Sequence, residues 1–225
     1  MSDVWTVGPL IIKHSWVWLG IIVVISVFMM KQFFSETLGE EKNEKESFWN
    51  AFFAFFLTFQ FSKLILQFQV AIKDPIAILA TPSGANEWML AWFVMSIYLW
   101  WVTRANANLR VTLFLKVTVS YLIVETMYYA LFPFTTIPGV VRTSVLLMVI
   151  NAFLLVWVYL QVNRNIAIQK ILGQVLALFG LINGVLALFI SIRMLDYSVP
   201  SWFYILVFLA GLITISSYDK TKGEK

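Results

Sequence analysis

Runs of about twenty apolar residues alternate with short polar stretches along almost the whole chain. A helix needs a run of that length to cross the hydrocarbon of a bilayer. The pattern predicts seven membrane-spanning helices, at about 15–34, 48–72, 88–102, 111–132, 144–162, 171–192 and 202–217. They form an all-α, polytopic, single integral membrane domain over residues 1–225. The most charged connection, 31–47, concentrates glutamate and lysine in its part from about 35 to 47 and reads as a solvated cytoplasmic loop. Other breaks fall at Lys73-Asp74-Pro75, Pro82-Ser83-Gly84, the polar turn 103–110 and the loop 133–139.

An odd number of spans puts the two termini on opposite sides, and basic residues select the orientation. With the N-terminus outside, ten of the 16 basic residues face the cytoplasm and four face outward. Lys63 and Lys116 fall within spans, so the expected topology is N-out and C-in. Residues 1–10 lack a basic n-region, so the first run is expected to stay as a membrane helix.

Composition agrees with this pattern and narrows the chemistry. The chain is 60% hydrophobic and 12% charged, about half the charge of a soluble domain. Its net charge of +4 is absorbed by topology and needs no nucleic-acid partner. The absence of cysteine excludes disulfide and thiol chemistry, and a single histidine, His14, leaves no metal-ligand cluster. No phosphate-binding loop, catalytic triad or paired-carboxylate motif is present, so no cofactor and no metal are expected.

The remaining candidates are polar residues inside apolar helices. Gln60, Lys63 and Gln67 share a sector of roughly 60° on the second span. Lys63 would lie nine residues from the outer end, roughly 14 Å deep, and a charge there requires a partner or a wet cavity. Glu125 in the fourth span would lie roughly 10 Å deep, with Thr118, Tyr121, Tyr128 and Tyr129 on its face. The similar depths predict an inter-helix contact between Lys63 and Glu125. Lys116 is expected to snorkel to the interface. Asn151, Gln174 and Asn183 are expected to hydrogen-bond across helices.

These features resemble the prolipoprotein diacylglyceryl transferase family, bacterial membrane enzymes that move diacylglycerol from phosphatidylglycerol to a lipoprotein cysteine. The likeness rests on Trp5-Thr6-Val7-Gly8-Pro9-Leu10-Ile11-Ile12 before the first span, Lys63 in the second, Asp74-Pro75, Ser83-Gly84 and the seven-span order. The departures fall on the family's chemical motifs. Met89-Leu90-Ala91 stands where the family has His-Gly-Gly, and the segment 124–129 around Glu125 replaces an arginine-rich signature. The segment 137–143, which includes Arg142, keeps only the proline of a longer motif, and Asn183-Gly184 stands where the family has another arginine.

Moving a glyceryl group off a phosphate needs cations for the developing charge and a base for the thiol. The expectation is therefore a diacylglyceryl-transferase-like pseudoenzyme in a bacterial plasma membrane, with no catalytic residues. It would bind a phospholipid, with phosphatidylglycerol the first candidate, or a membrane-protein or lipoprotein partner. The binding candidates are Lys63, Glu125, Gln60, Gln67, Tyr121, Tyr128 and Arg142. Two rivals stand beside it: an active transferase using Lys63, Glu125 and Arg142, and a small transporter. The latter lacks the paired broken helices and internal repeat it would need.

Overall fold

A computed structural model describes residues 4–7, 10–34, 42–74, 83–132, 138–164, 166–189, 192–195 and 197–223. The chain is nearly all helical. In order it forms β1 (Val4–Val7), β2 (Leu10–Lys13), α1 (His14–Phe34), α2 (Lys42–Leu66), α3 (Phe68–Ala71) and α4 (Ala85–Val102). There follow α5 (Ala107–Leu131), α6 (Pro138–Asn163), α7 (Ile168–Phe189), β3 (Arg193–Met194), β4 (Tyr197–Ser198) and α8 (Ser201–Gly223).

Among the described residues, five helical stretches are long and apolar enough to cross a membrane: Glu44–Leu66, Ala107–Leu131, Thr143–Asn163, Ile168–Phe189 and Ser201–Asp219. They mark a multi-pass membrane protein. The first expected span corresponds to α1, whose apolar part, Val17–Met30, is shorter. The third corresponds to α4, an 18-residue helix that opens with Asn86 and Glu87.

The chain divides into two compact units, Met1–Gly39 with Lys116–Ile166, and Glu40–Leu115 with Ala167–Lys225. The first unit holds β1, β2, α1, most of α5 and α6. Its N-terminal strands pair antiparallel, Val4 with Lys13 and Val7 with Leu10, and β2 runs without interruption into α1. On α1 the residues Ile22, Ser26 and Met30, spaced by four, are buried, while Val24 and Phe28 are exposed. That spacing aligns one face. The Ser120 hydroxyl of α5 donates to the Met30 sulfur at 2.9 Å, joining the two helices.

The second unit is organised by two helix pairs. Between α7 and α8 the backbones meet at glycines. A β-carbon added to Gly180 would strike the Tyr204 carbonyl oxygen at 2.7 Å and the Phe208 backbone, and one at Gly211 would strike the Gly173 carbonyl oxygen at 2.7 Å. Small residues allow this approach, which maximises van der Waals contact where lipid supplies no hydrophobic drive. Gln169 adds a cross-helix hydrogen bond to the Ser217 hydroxyl at 2.9 Å. The β3–β4 hairpin connects the pair, with Met194 opposite Tyr197 and Leu195 turning at φ 57°.

Between α2 and α4 the contact is aromatic. Phe55 and Phe59, one turn apart on α2, meet Trp88 of α4 edge to face at 5.1 and 5.7 Å. Trp92 packs against Phe55 at 5.4 Å. Tyr197 of β4 stacks on Trp88 at 5.3 Å with 22° between the planes. Edge-to-face rings of this kind stabilise a contact beyond the area they bury.

Several boundaries differ from the sequence expectation, each for a physical reason. Residues 42–47 of the expected charged loop are helical. Glu and Lys are good helix formers, and Glu44 sits in the first turn of α2, where a negative charge suits the helix dipole. The second span ends at Leu66 rather than 72, because Gln67 leaves helical geometry at φ −117° and ψ 40°. The helical bonding of α5 begins at Ala107, where Asn106 caps it by accepting from the Leu109 amide at 3.1 Å.

Candidate functional site

The second unit buries a lysine at the end of the aromatic seam. Phe55, Phe59 and Lys63 follow one another at intervals of four, so the stripe that carries the rings toward α4 also carries Lys63. Lys63 is 2% exposed. Beside it, the Ser62 hydroxyl donates to the Phe59 carbonyl at 3.4 Å. The Ser83 hydroxyl reaches the same carbonyl at 3.2 Å from the start of the α4 segment.

The anionic counterpart is Glu87, 7% exposed, in the first turn of α4. Its Oε2 accepts from the Gly84 backbone amide at 2.8 Å, closing the N-terminus of α4. Glu87 precedes Trp88, whose ring meets Phe59 one turn before Lys63, so the two buried charged residues lie on facing helices at the same end of the seam. A buried acid at a helix N-terminus and a buried base in the last turn of the facing helix each meet a favourable end of a helix dipole. Lys63 and Glu87 therefore form the polar end of a seam that is otherwise made of rings.

Because α2 ends at Leu66, Lys63 lies three residues from the helix end, about 4.5 Å at the helical rise, rather than the expected depth of roughly 14 Å. The ammonium sits one turn from the end of its helix. The expected stripe also divides. Gln60 is half-buried on α2, whereas Gln67 is exposed at the break and belongs to no helical face with Lys63.

Glu125 lies in the first unit and has its own neutral donors there. Its Oε2 accepts from Asn151 Nδ2 of α6 at 2.9 Å, and its Oε1 from the Tyr129 hydroxyl at 3.3 Å. Tyr128 is buried, with its ring tilted on Phe132 at 4.9 Å and edge-on to Tyr129 at 6.0 Å. Tyr121 is half-buried one turn before Glu125. Arg142 lies in α6, and its side chain is outside the described residues, as is that of His14. Lys63 and Glu125 belong to different units.

Three further expectations change or hold. Lys116 is buried among protein atoms instead of snorkelling. Among the described residues, α5 carries the longest series of buried positions, and Lys116 is part of it. Asn151 does bond across helices, to Glu125, but Asn183 turns back on its own helix and donates to the Phe179 carbonyl at 2.9 Å. Among the described residues, no group of three or more His, Asp or Glu could hold a metal ion.

Glu87 is the site residue that the sequence reading missed. The expected third span began one residue later, so Glu87 fell into a loop. Its signal was available in Gly84-Ala85-Asn86-Glu87, an N-cap glycine followed three residues later by glutamate ahead of an apolar run.

Chemically, the Lys63 cluster offers one ammonium, one carboxylate and two hydroxyls at the end of an aromatic wall. Such a set can hold a charged headgroup or side chain. Comparison with family models, with curated proteins and with solved structures finds no match for this chain.

Proposed function

We propose that this chain is a non-catalytic relative of the prolipoprotein diacylglyceryl transferases, resident in a bacterial plasma membrane. It holds a phospholipid headgroup, or a charged group of a membrane-protein or lipoprotein partner, at the Lys63 end of the α2–α4 seam. The seven-span, N-out and C-in topology belongs to the same proposal. The observation that carries the reading is the burial of Lys63, at 2% exposure, at the end of a helix whose seam with α4 is built of aromatic rings. A charge kept at that position in a membrane helix is a functional-site candidate by default, because hydrocarbon penalises it.

The buried Glu87 carboxylate at the same end of the seam sets the character of the site. A carboxylate beside the lysine lowers the net positive charge available to stabilise a developing phosphate anion, which a transferase would need. The same pair still presents a hydrogen-bond donor and an acceptor to a bound headgroup, which suits recognition rather than turnover. In this reading Gln60 lines the approach to Lys63, and Gln67 lies outside it.

The test is an assay of the folded, detergent-solubilised protein with phosphatidylglycerol and a cysteine-bearing lipoprotein peptide. The expected result is no diacylglyceryl transfer to the thiol. Transfer above the protein-free rate would overturn the non-catalytic reading. Transfer that was lost in Lys63→Ala or Glu125→Gln would assign those residues to the reaction.

A further inference from the structure

We propose that the turn between α4 and α5 is a binding site for an anionic phospholipid headgroup, formed by the Arg110 guanidinium lying over the Trp100 ring. The site goes beyond the Lys63 cluster. Trp100 follows Glu87 by thirteen residues on α4, roughly 20 Å along the helix, so the two lie at opposite ends of it.

The turn itself is well defined. The Thr103 amide donates to the Leu99 carbonyl at 3.1 Å, the Asn106 amide to the Thr103 carbonyl at 3.0 Å, and the Arg110 amide to the Asn106 carbonyl at 3.1 Å. The buried Thr103 hydroxyl also donates to the Leu99 carbonyl. These bonds fix the start of α5 against the end of α4 and place Arg110 Cζ 4.1 Å from the centre of the Trp100 ring.

At that distance the Arg110 charge is attracted to the face of the indole ring. The guanidinium carries five N–H donors in a rigid fork matched to phosphate oxygens. Arg104, exposed in the same turn, adds a second cation. No aspartate or glutamate occurs between Glu87 and Glu125, so the acids that can face the two arginines come from another element, Glu44 and Glu46 at the start of α2.

The surroundings specify a lipid rather than a soluble anion. Trp100 and Trp101 are 60% and 65% exposed, with exposed Val102 beside them. Indole rings exposed at the end of an apolar helix occupy the headgroup level of a bilayer, with cations next to them. A phosphodiester entering there meets the arginine edge while its acyl chains lie along the tryptophans. Charge complementarity selects an anionic phospholipid over a zwitterionic one.

The experiment is native mass spectrometry of the full chain in detergent with added phosphatidylglycerol, phosphatidylcholine or free glycerol 3-phosphate. The variants are Arg110→Gln, Arg110→Lys and Trp100→Leu, each checked for unchanged helix content. Wild type should retain phosphatidylglycerol in preference to phosphatidylcholine, and free glycerol 3-phosphate should not displace it. Arg110→Gln should lower retention about fivefold, the factor expected for one basic residue at an anionic surface. Arg110→Lys should also lose retention, because it keeps the charge and gives up the rigid fork. Trp100→Leu should do the same with the arginine present. Equal retention by Arg110→Lys and wild type would overturn the site in favour of unspecific surface charge. Equal retention of the two lipids, or displacement by glycerol 3-phosphate, would overturn the lipid assignment.

Discussion

The two helix pairs of the second unit meet in different ways. α7 and α8 approach through glycines, so closely that their backbones leave no room for a β-carbon at Gly180 or Gly211. α2 and α4 are held apart by Phe55, Phe59, Trp88 and Trp92, and a lysine and a glutamate close the end of that wider seam. A pair packed backbone to backbone has no space for a ligand and gains its stability from shape. A pair spaced by rings can hold charged groups at its edge. The difference separates the part that keeps the fold together from the part with chemistry to offer.

The most severe way to break this comparison is Gly180→Val. Its side chain has to displace the backbone of α8, and the expected loss is about 3 kcal/mol or more, at or above the upper range for overpacking. Equilibrium unfolding in mixed micelles measures it. A near-neutral result would mean that α7 and α8 are not held by close approach.

Next comes the polar cluster of the first unit. Asn151→Leu removes the 2.9 Å donor to the buried Glu125 carboxylate and should cost about 2 kcal/mol in the same measurement. Lys63→Met should cost about 1 to 2 kcal/mol, toward the lower part of the range for leaving a buried polar group unsatisfied, because Lys63 lies only one turn from its helix end. Adding Glu87→Gln should recover at least half of that loss. Glutamine can still accept from the Gly84 amide, so the recovery isolates the charge. A double variant no better than the single would show that Glu87 does not balance Lys63.

The smallest expected effect is that of Gly84→Ala. The backbone at φ −113° suits alanine, but the new methyl would lie 3.1 Å from Glu87 Oε2. Relief of unfolded-chain entropy offsets that crowding, and the net change should stay within about 0.5 kcal/mol. A larger loss would mean that the Glu87 carboxylate is rigidly held where it is.

The helical runs themselves were legible, because the apolar pattern of a membrane helix survives any uncertainty about its ends. The ends were not. Lys42 to Ser47 read as loop by charge, yet lysine and glutamate extend a helix into water readily. Gln67 carried no glycine or proline to announce the break after α2, and the depth assigned to Lys63 failed with it. Lys63, Glu125 and Tyr128 were visible as polar or aromatic residues in apolar helices, and all three are buried. The Glu87 neighbourhood was hidden because partnership across helices depends on which faces meet, and a single sequence shows only which residues share a face. The same limit explains Lys116, whose burial comes from the enclosure of α5 and not from its place along the helix.

On the proposed reading, Lys63 holds a ligand without turning it over. The most direct test is mass spectrometry of the lipids and proteins that co-purify with wild type and with folded Lys63→Ala. A specific phospholipid or protein partner should accompany wild type and be depleted severalfold in the variant, with helix content unchanged. Identical co-purifying lipids and proteins in the two preparations would contradict the account.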